Sequence, residues 1–174
     1  RQIIFNVMIK KFIYILSFCF FSQIALAAGD DSGSSGSSSS SGSSSDNYLN
    51  QYKEAKNLIN RGKKLETKGK NKLALKRYNT AYKKLLEAHK IESRNPDILN
   101  YLGFTLRKAG NYEQAEKYYL QGLEIAPNHN GINEYLGELY IQTNRIVKAN
   151  ERLLVLKNCN CEEYDELKEL IDKN

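Results

Sequence analysis

One skeleton of small and apolar residues recurs along this chain, and it leaves few folds open. Between Pro96 and Pro127, Leu99, Leu102, Leu106 and Ala109 recur at helical spacing, so a first helix has one apolar side. Gly110 and Asn111 break that pattern, as a tight helix–helix turn requires. A second helix carries Tyr112, Ala115, Tyr119 and Leu123 on its inner face, and Pro127 ends it because proline cannot continue a helix. Small residues at Gly103, Ala115 and Gly122 fall where two helix backbones have to approach closely. Thirty-four residues on, Leu102-Gly103 becomes Leu136-Gly137, Ala115 becomes Ala149, Leu106 becomes Tyr140 and Tyr119 becomes Leu153. Forty-one residues upstream the skeleton reads Leu58, Gly62, Leu65, Gly69, Ala74, Tyr78 and Ala81. The seven surplus residues lie between Ala81 and Pro96, where KKLLEAHKIES still reads as helix. The second helix of the first unit is therefore expected to run about two turns longer.

The spacing Leu99-x2-Leu102-Gly103-x2-Leu106, then Ala115-x3-Tyr119, then Pro127, resembles the tetratricopeptide repeat. Leucine stands where that family often has tryptophan or tyrosine, and it keeps the packing role. The resemblance implies an all-α chain, a right-handed α-solenoid of about three helical hairpins, each burying its apolar face on its neighbour. The repeat domain is expected over 47–174, with repeats at about 55–95, 96–129 and 130–161. Predicted helices are 47–67, 71–92, 97–109, 112–125, 131–142, 146–157 and 162–172. The last has Tyr164, Leu167, Leu170 and Ile171 on one face and acids on the other, which suits a capping helix.

The chain before the repeats reads as an address and a tether. From Met8, two lysines (Lys10, Lys11) precede the apolar run FIYILSFCFFSQI and the series Ala25-Leu26-Ala27. This is the plan of a secretory signal peptide over 8–27, cut after Ala27, with residues 1–7 as upstream read-through. An exported, periplasmic protein is expected; the alternative is a chain anchored in the membrane by an uncleaved signal. Residues 28–46, AGDDSGSSGSSSSSGSSSD, bury too little to offset the entropy of ordering and are expected to form a disordered linker.

Charge is uneven. Residues 46–95 hold 14 Lys/Arg against 5 Asp/Glu, while 96–174 hold 9 against 13. The basic half suits an anionic membrane surface or an acidic partner. The plainer reading is lysines solvating the outer faces of two long helices, since they are spread around those helices. No basic–aromatic interleaving of a nucleic-acid module is present, so nucleic acid is not an expected partner.

Chemistry has little to work with. His89 and His129 are far apart and lack a neighbouring nucleophile or ligand set, and no glycine-rich phosphate loop occurs. Neither a catalytic residue nor a cofactor nor a metal set is expected, and the chain is read as a non-enzyme. The exception is Cys159-Asn160-Cys161. These cysteines are within disulfide reach in an oxidising compartment, or could offer two thiolates to a soft metal. A structural bond closing the last repeat, a thiol–disulfide role and a metal role all stay open.

The resemblance also implies where a partner would sit. In the family, the first helices of successive repeats line a concave groove for peptides or partner helices. The family pattern assigns to it Asn60 and Lys63 in the first repeat, Asn100, Tyr101 and Phe104 in the second, and Glu134, Tyr135 and Glu138 in the third. Members that clamp a terminal carboxylate use lysine, asparagine and arginine; this chain has Ile59, Tyr101, Gly131 and Tyr135 at four of those five positions, with only Lys63 polar. The clamp is absent. What the pattern implies instead is an aromatic strip of Tyr101, Phe104 and Tyr135 holding a peptide through apolar side chains, with Glu134 and Glu138 selecting a basic flank. A protein-binding scaffold of the cell envelope is the expected function, against a redox or metal protein and a purely structural spacer.

Overall fold

The computed structural model describes residues 44–174; the expected signal peptide and most of the expected linker lie outside the described residues. Seven helices follow one another: α1 (Ser44–Glu66), α2 (Asn71–Ile91), α3 (Pro96–Lys108), α4 (Tyr112–Ile125), α5 (Asn130–Gln142), α6 (Ile146–Leu156) and α7 (Glu162–Asp172). α1 takes in Ser44–Asp46, which composition assigns to the linker. An acid in its first turn suits the positive end of the helix dipole. α2 has 21 residues against 14 in α4, the two extra turns expected from the surplus residues.

The same backbone device turns each hairpin. Gly69, Gly110 and Asn144 take positive φ, at 68°, 81° and 59°. At each turn the following amide bonds back to the carbonyl five residues earlier: Lys70 to Leu65, Asn111 to Leu106 and Arg145 to Tyr140. This closes the open carbonyls of the first helix, and it needs a left-handed residue, which glycine adopts without penalty and asparagine tolerates. The starts of α3 and α5 are capped by side chains as well. The Asn95 side chain accepts from the Ile98 amide at 3.2 Å ahead of Pro96, and Nδ1 of His129 accepts from the Ile132 amide at 3.2 Å.

Packing explains the small residues of the skeleton. A Cβ on Gly62 would lie 2.3 Å from the Tyr78 ring, and one on Gly103 2.4 Å from the Tyr119 ring. Glycine thus lets the tyrosine of each second helix lie against the backbone of its first helix. Each second helix also packs on the first helix of the next unit, α2 on α3, α4 on α5 and α6 on α7. The first helices touch in succession, α1 with α3, α3 with α5 and α5 with α7, while α2, α4 and α6 do not meet one another. Elements that touch on one side and splay on the other curve the stack. The concave side is therefore built from α1, α3, α5 and α7.

Candidate functional site

The expected groove residues lie on these first helices, but the structure closes over several of them. Asn60 and Lys63 are exposed, and Tyr101 and Glu138 are half-buried. Phe104 is 2% exposed, Tyr135 8%, Asn100 5% and Glu134 3%. Phe104 and Tyr135 are thus floor and not free contact surface, a correction to the reading of an open aromatic strip. The reason is an aromatic stack that crosses the repeats. Tyr78 meets Phe104 edge-on at 5.4 Å between centroids, and Phe104 meets Tyr135 at 5.0 Å.

Cations cover this stack. Lys63 Nζ lies 5.3 Å from the Phe104 centroid and 5.2 Å from that of Tyr135, and donates to the Tyr135 hydroxyl at 2.8 Å. Arg107, almost wholly buried, sits 5.6 Å from both rings and pairs through NH1 with Oε2 of Glu138 at 2.7 Å. Glu138 is therefore already engaged within the protein, which removes it as a free selector of a basic flank. Lys108 binds Glu66 at 2.8 Å and ties the first repeat to the second. Burial first, then the nearby Glu134 charge, drives the Tyr135 hydroxyl further from ionisation, so it stays neutral.

Asn100 and Glu134 occupy one repeat position, thirty-four residues apart. Each is buried, and each keeps an acceptor oxygen, Oδ1 and Oε1, without a hydrogen-bond partner. Such orphans are rare in folded proteins. Glu134 is pushed up to about 9, chiefly by burial, then by the hydrogen bond its neutral form gives Glu166 and by the Glu138 and Glu166 charges; Lys63 pulls the other way. With both carboxyls ionised no donor stands between them; protonated Glu134 donates to Glu166.

At the other end of the groove, Tyr52 of α1 lies beside Tyr101 of α3, 6.0 Å between centroids, and both are half-buried. Next to them Nε2 of His129 is 3.2 Å from Oδ1 of Asp97. Because Nδ1 accepts the Ile132 amide, the neutral ring carries its proton on Nε2 and donates it to Asp97. The hydrogen bond from His129 holds the Asp97 carboxyl below its usual range. Sequence reasoning missed Tyr52, Arg107 and Glu166. Tyr52 and Glu166 stand outside the three first-helix motifs, while Arg107, one turn past Phe104, reads as a surface charge.

Cys159 and Cys161 are joined as a disulfide, Cα–Cα 5.2 Å, with Asn160 between them at φ 49°. Among the described residues no group of three or more His, Cys, Asp or Glu is placed to hold a metal ion. No helix among them is long and apolar enough to cross a membrane.

The tetratricopeptide repeat model matches residues 96–129, the α3–α4 hairpin. That hairpin carries a tetratricopeptide repeat, and the all-helical chain has the fold of tetratricopeptide domains. Two solved tetratricopeptide domains share the fold of this repeat protein. The Arabidopsis OM64 TPR domain aligns with a TM-score of 0.51 at 14% identity, over 71% of this chain and 98% of that one. The second TPR domain of human RPAP3, solved in complex with the HSP70 peptide SGPTIEEVD, aligns with a TM-score of 0.51 at 17% identity, over 73% and 99%. Among curated proteins, the human protein O-mannosyl-transferase TMTC3 is 28% identical over 81 residues, which is 47% of this chain and 9% of that protein. The mouse protein of that name is 27% identical over the same length. The match thus spans under a tenth of these relatives.

Proposed function

We propose that this chain is a non-enzymatic protein-interaction module that holds a peptide or partner segment along the concave side of its solenoid. The observation that carries this is the Tyr52–Tyr101 pair, two aromatics from successive first helices left half-exposed against the buried core. Aromatic side chains with a polar tip supply contact area at low entropic cost and recur as binding anchors. A further support is that a domain of the same fold, in RPAP3, was solved with a peptide bound. The name of TMTC3 carries no transferase activity here, because the shared segment is a small part of that protein.

The same reading places the module outside the cytoplasm, on the strength of the Lys10-Lys11, apolar run and Ala25-Leu26-Ala27 series. N-terminal sequencing of the chain from cells tests that part: a start near Ala28 supports export with cleavage, and an intact Met8 terminus contradicts cleavage. The groove is tested by photo-crosslinking in intact cells. Crosslinkers at Tyr52 and Tyr101 should capture a partner that crosslinkers at Lys72 and Leu120, on the second helices, do not. Capture from the second helices alone would contradict it.

The Cys159–Cys161 disulfide favours a second reading, a thiol–disulfide protein. Titration of free thiols in quenched cells separates the two: a cycling pair is found in both redox states, a structural bond in one.

A further inference from the structure

The groove's far end holds a charge problem that the protein does not solve internally. Glu134 of α5 is buried, its Oε1 has no hydrogen-bond partner, and it faces Glu166 of α7. Glu138, next on the same helix, is committed to Arg107. Lys63 of α1, the cation that acts on Glu134, is directed to the Tyr135 hydroxyl. The other groups facing Glu134 are the tyrosines 101, 119 and 135, from α3, α4 and α5. Two carboxyls and three neutral hydroxyls lie near one another here, with one cation, Lys63, at their edge. Removing charge from water without a partner is costly, so both carboxyls can be ionised together only when a cation joins them.

We propose that the Glu134–Glu166 pair, where α5 meets α7, seats a lysine or arginine side chain of the bound peptide. This rests on the groove reading above. A cationic head placed between the two carboxyls gains charge-assisted hydrogen bonds to both. In the free protein a proton on Glu134 serves in place of that cation. Binding of a basic side chain therefore expels the proton to solvent, and the charge of the site is the same before and after. Glu166 is exposed on α7, so the pair reaches solvent through this carboxyl while Glu134 lies beneath it.

The test uses the purified full chain and labelled nonapeptide pools built from Ala, Leu, Val, Ser and Tyr with a fixed central residue. Lysine- and arginine-centred pools should bind about tenfold or more tighter than the glutamine-centred pool. Glu134→Gln and Glu166→Gln should each remove most of that preference while leaving binding of the glutamine pool in place. The tightest lysine-centred peptide, titrated calorimetrically at pH 7 in buffers of different ionisation heat, should release about one proton, and none from Glu134→Gln. Pools that bind without preference for a basic centre would overturn the inference and spare the groove. So would a preference that survives both substitutions. Failure of every pool to bind would overturn the groove reading and the inference with it. Should Glu134→Gln fail to fold, the exposed position Glu166→Gln decides alone.

Discussion

Leu167 closes on Gly137: a Cβ on that glycine would lie 2.6 Å from the leucine side chain. In the first two repeats the same glycine position faces a tyrosine of the repeat's own second helix, Tyr78 on Gly62 and Tyr119 on Gly103. The third repeat has the half-buried Leu153 there, and α7 supplies the missing side chain. Helix α7 sits on α5 and α6 as α5 sits on α3 and α4, so it belongs to the core.

Leu167→Ala should therefore destabilise the whole solenoid, by about 2–4 kcal/mol in urea unfolding. Leu154→Ala, at a position 69% exposed on α6, should stay within about 0.5 kcal/mol of the parent. Equal effects would mean that α7 is dispensable.

Arg107 is buried and its ion-pair partner is Glu138. Glu138→Ala should cost about 3 kcal/mol, because it leaves an uncompensated buried charge. The Arg107→Met, Glu138→Met double variant should recover most of that loss. A single substitution without effect would show that the guanidinium reaches water.

The Glu134 carboxyl gives stability a pH slope of known sign. Its folded value, about 9, lies above its free value of 4.5. Between the two, the native chain holds a proton that the unfolded chain has lost, so this group's contribution falls as pH rises from about 5 towards 9. Below the free value the contribution is fully present. Glu134→Gln should flatten that slope and stabilise by about 1–3 kcal/mol at pH 8, read as melting temperature against pH. A variant with the parent slope would contradict this.

The Cys159–Cys161 bond closes a very small loop and removes little freedom from the unfolded chain. Replacing both cysteines by serine should cost at most about 1–2 kcal/mol, measured by thermal melting, and leave partner capture unchanged.

Much of the fold was legible in the residues. Helix ends follow from Pro96, Gly69, Gly110 and Pro127, because glycine and proline act on the backbone itself, and the observed bounds differ from the predicted ones by a few residues at most. Tyr119 and Ala115 were readable as inner-face residues for the same reason: helical spacing fixes which side they share. The site was less legible. Spacing put Phe104 and Tyr135 on the concave side, but not whether anything would cover them. That depended on Lys63 and Arg107, long side chains whose direction is set by partners in other repeats. The Glu134–Glu166 contact joins two helices that no shared motif links, so only the packed structure brings it out.

The central claim is that Tyr52 and Tyr101 anchor a partner on the concave side, and affinity measured on one double variant tests it most directly. With the partner captured at Tyr101, Tyr52→Ala, Tyr101→Ala should bind it about thirtyfold or more weaker, while its melting temperature stays within a few degrees of the parent. Unchanged affinity in a folded double variant would contradict the account.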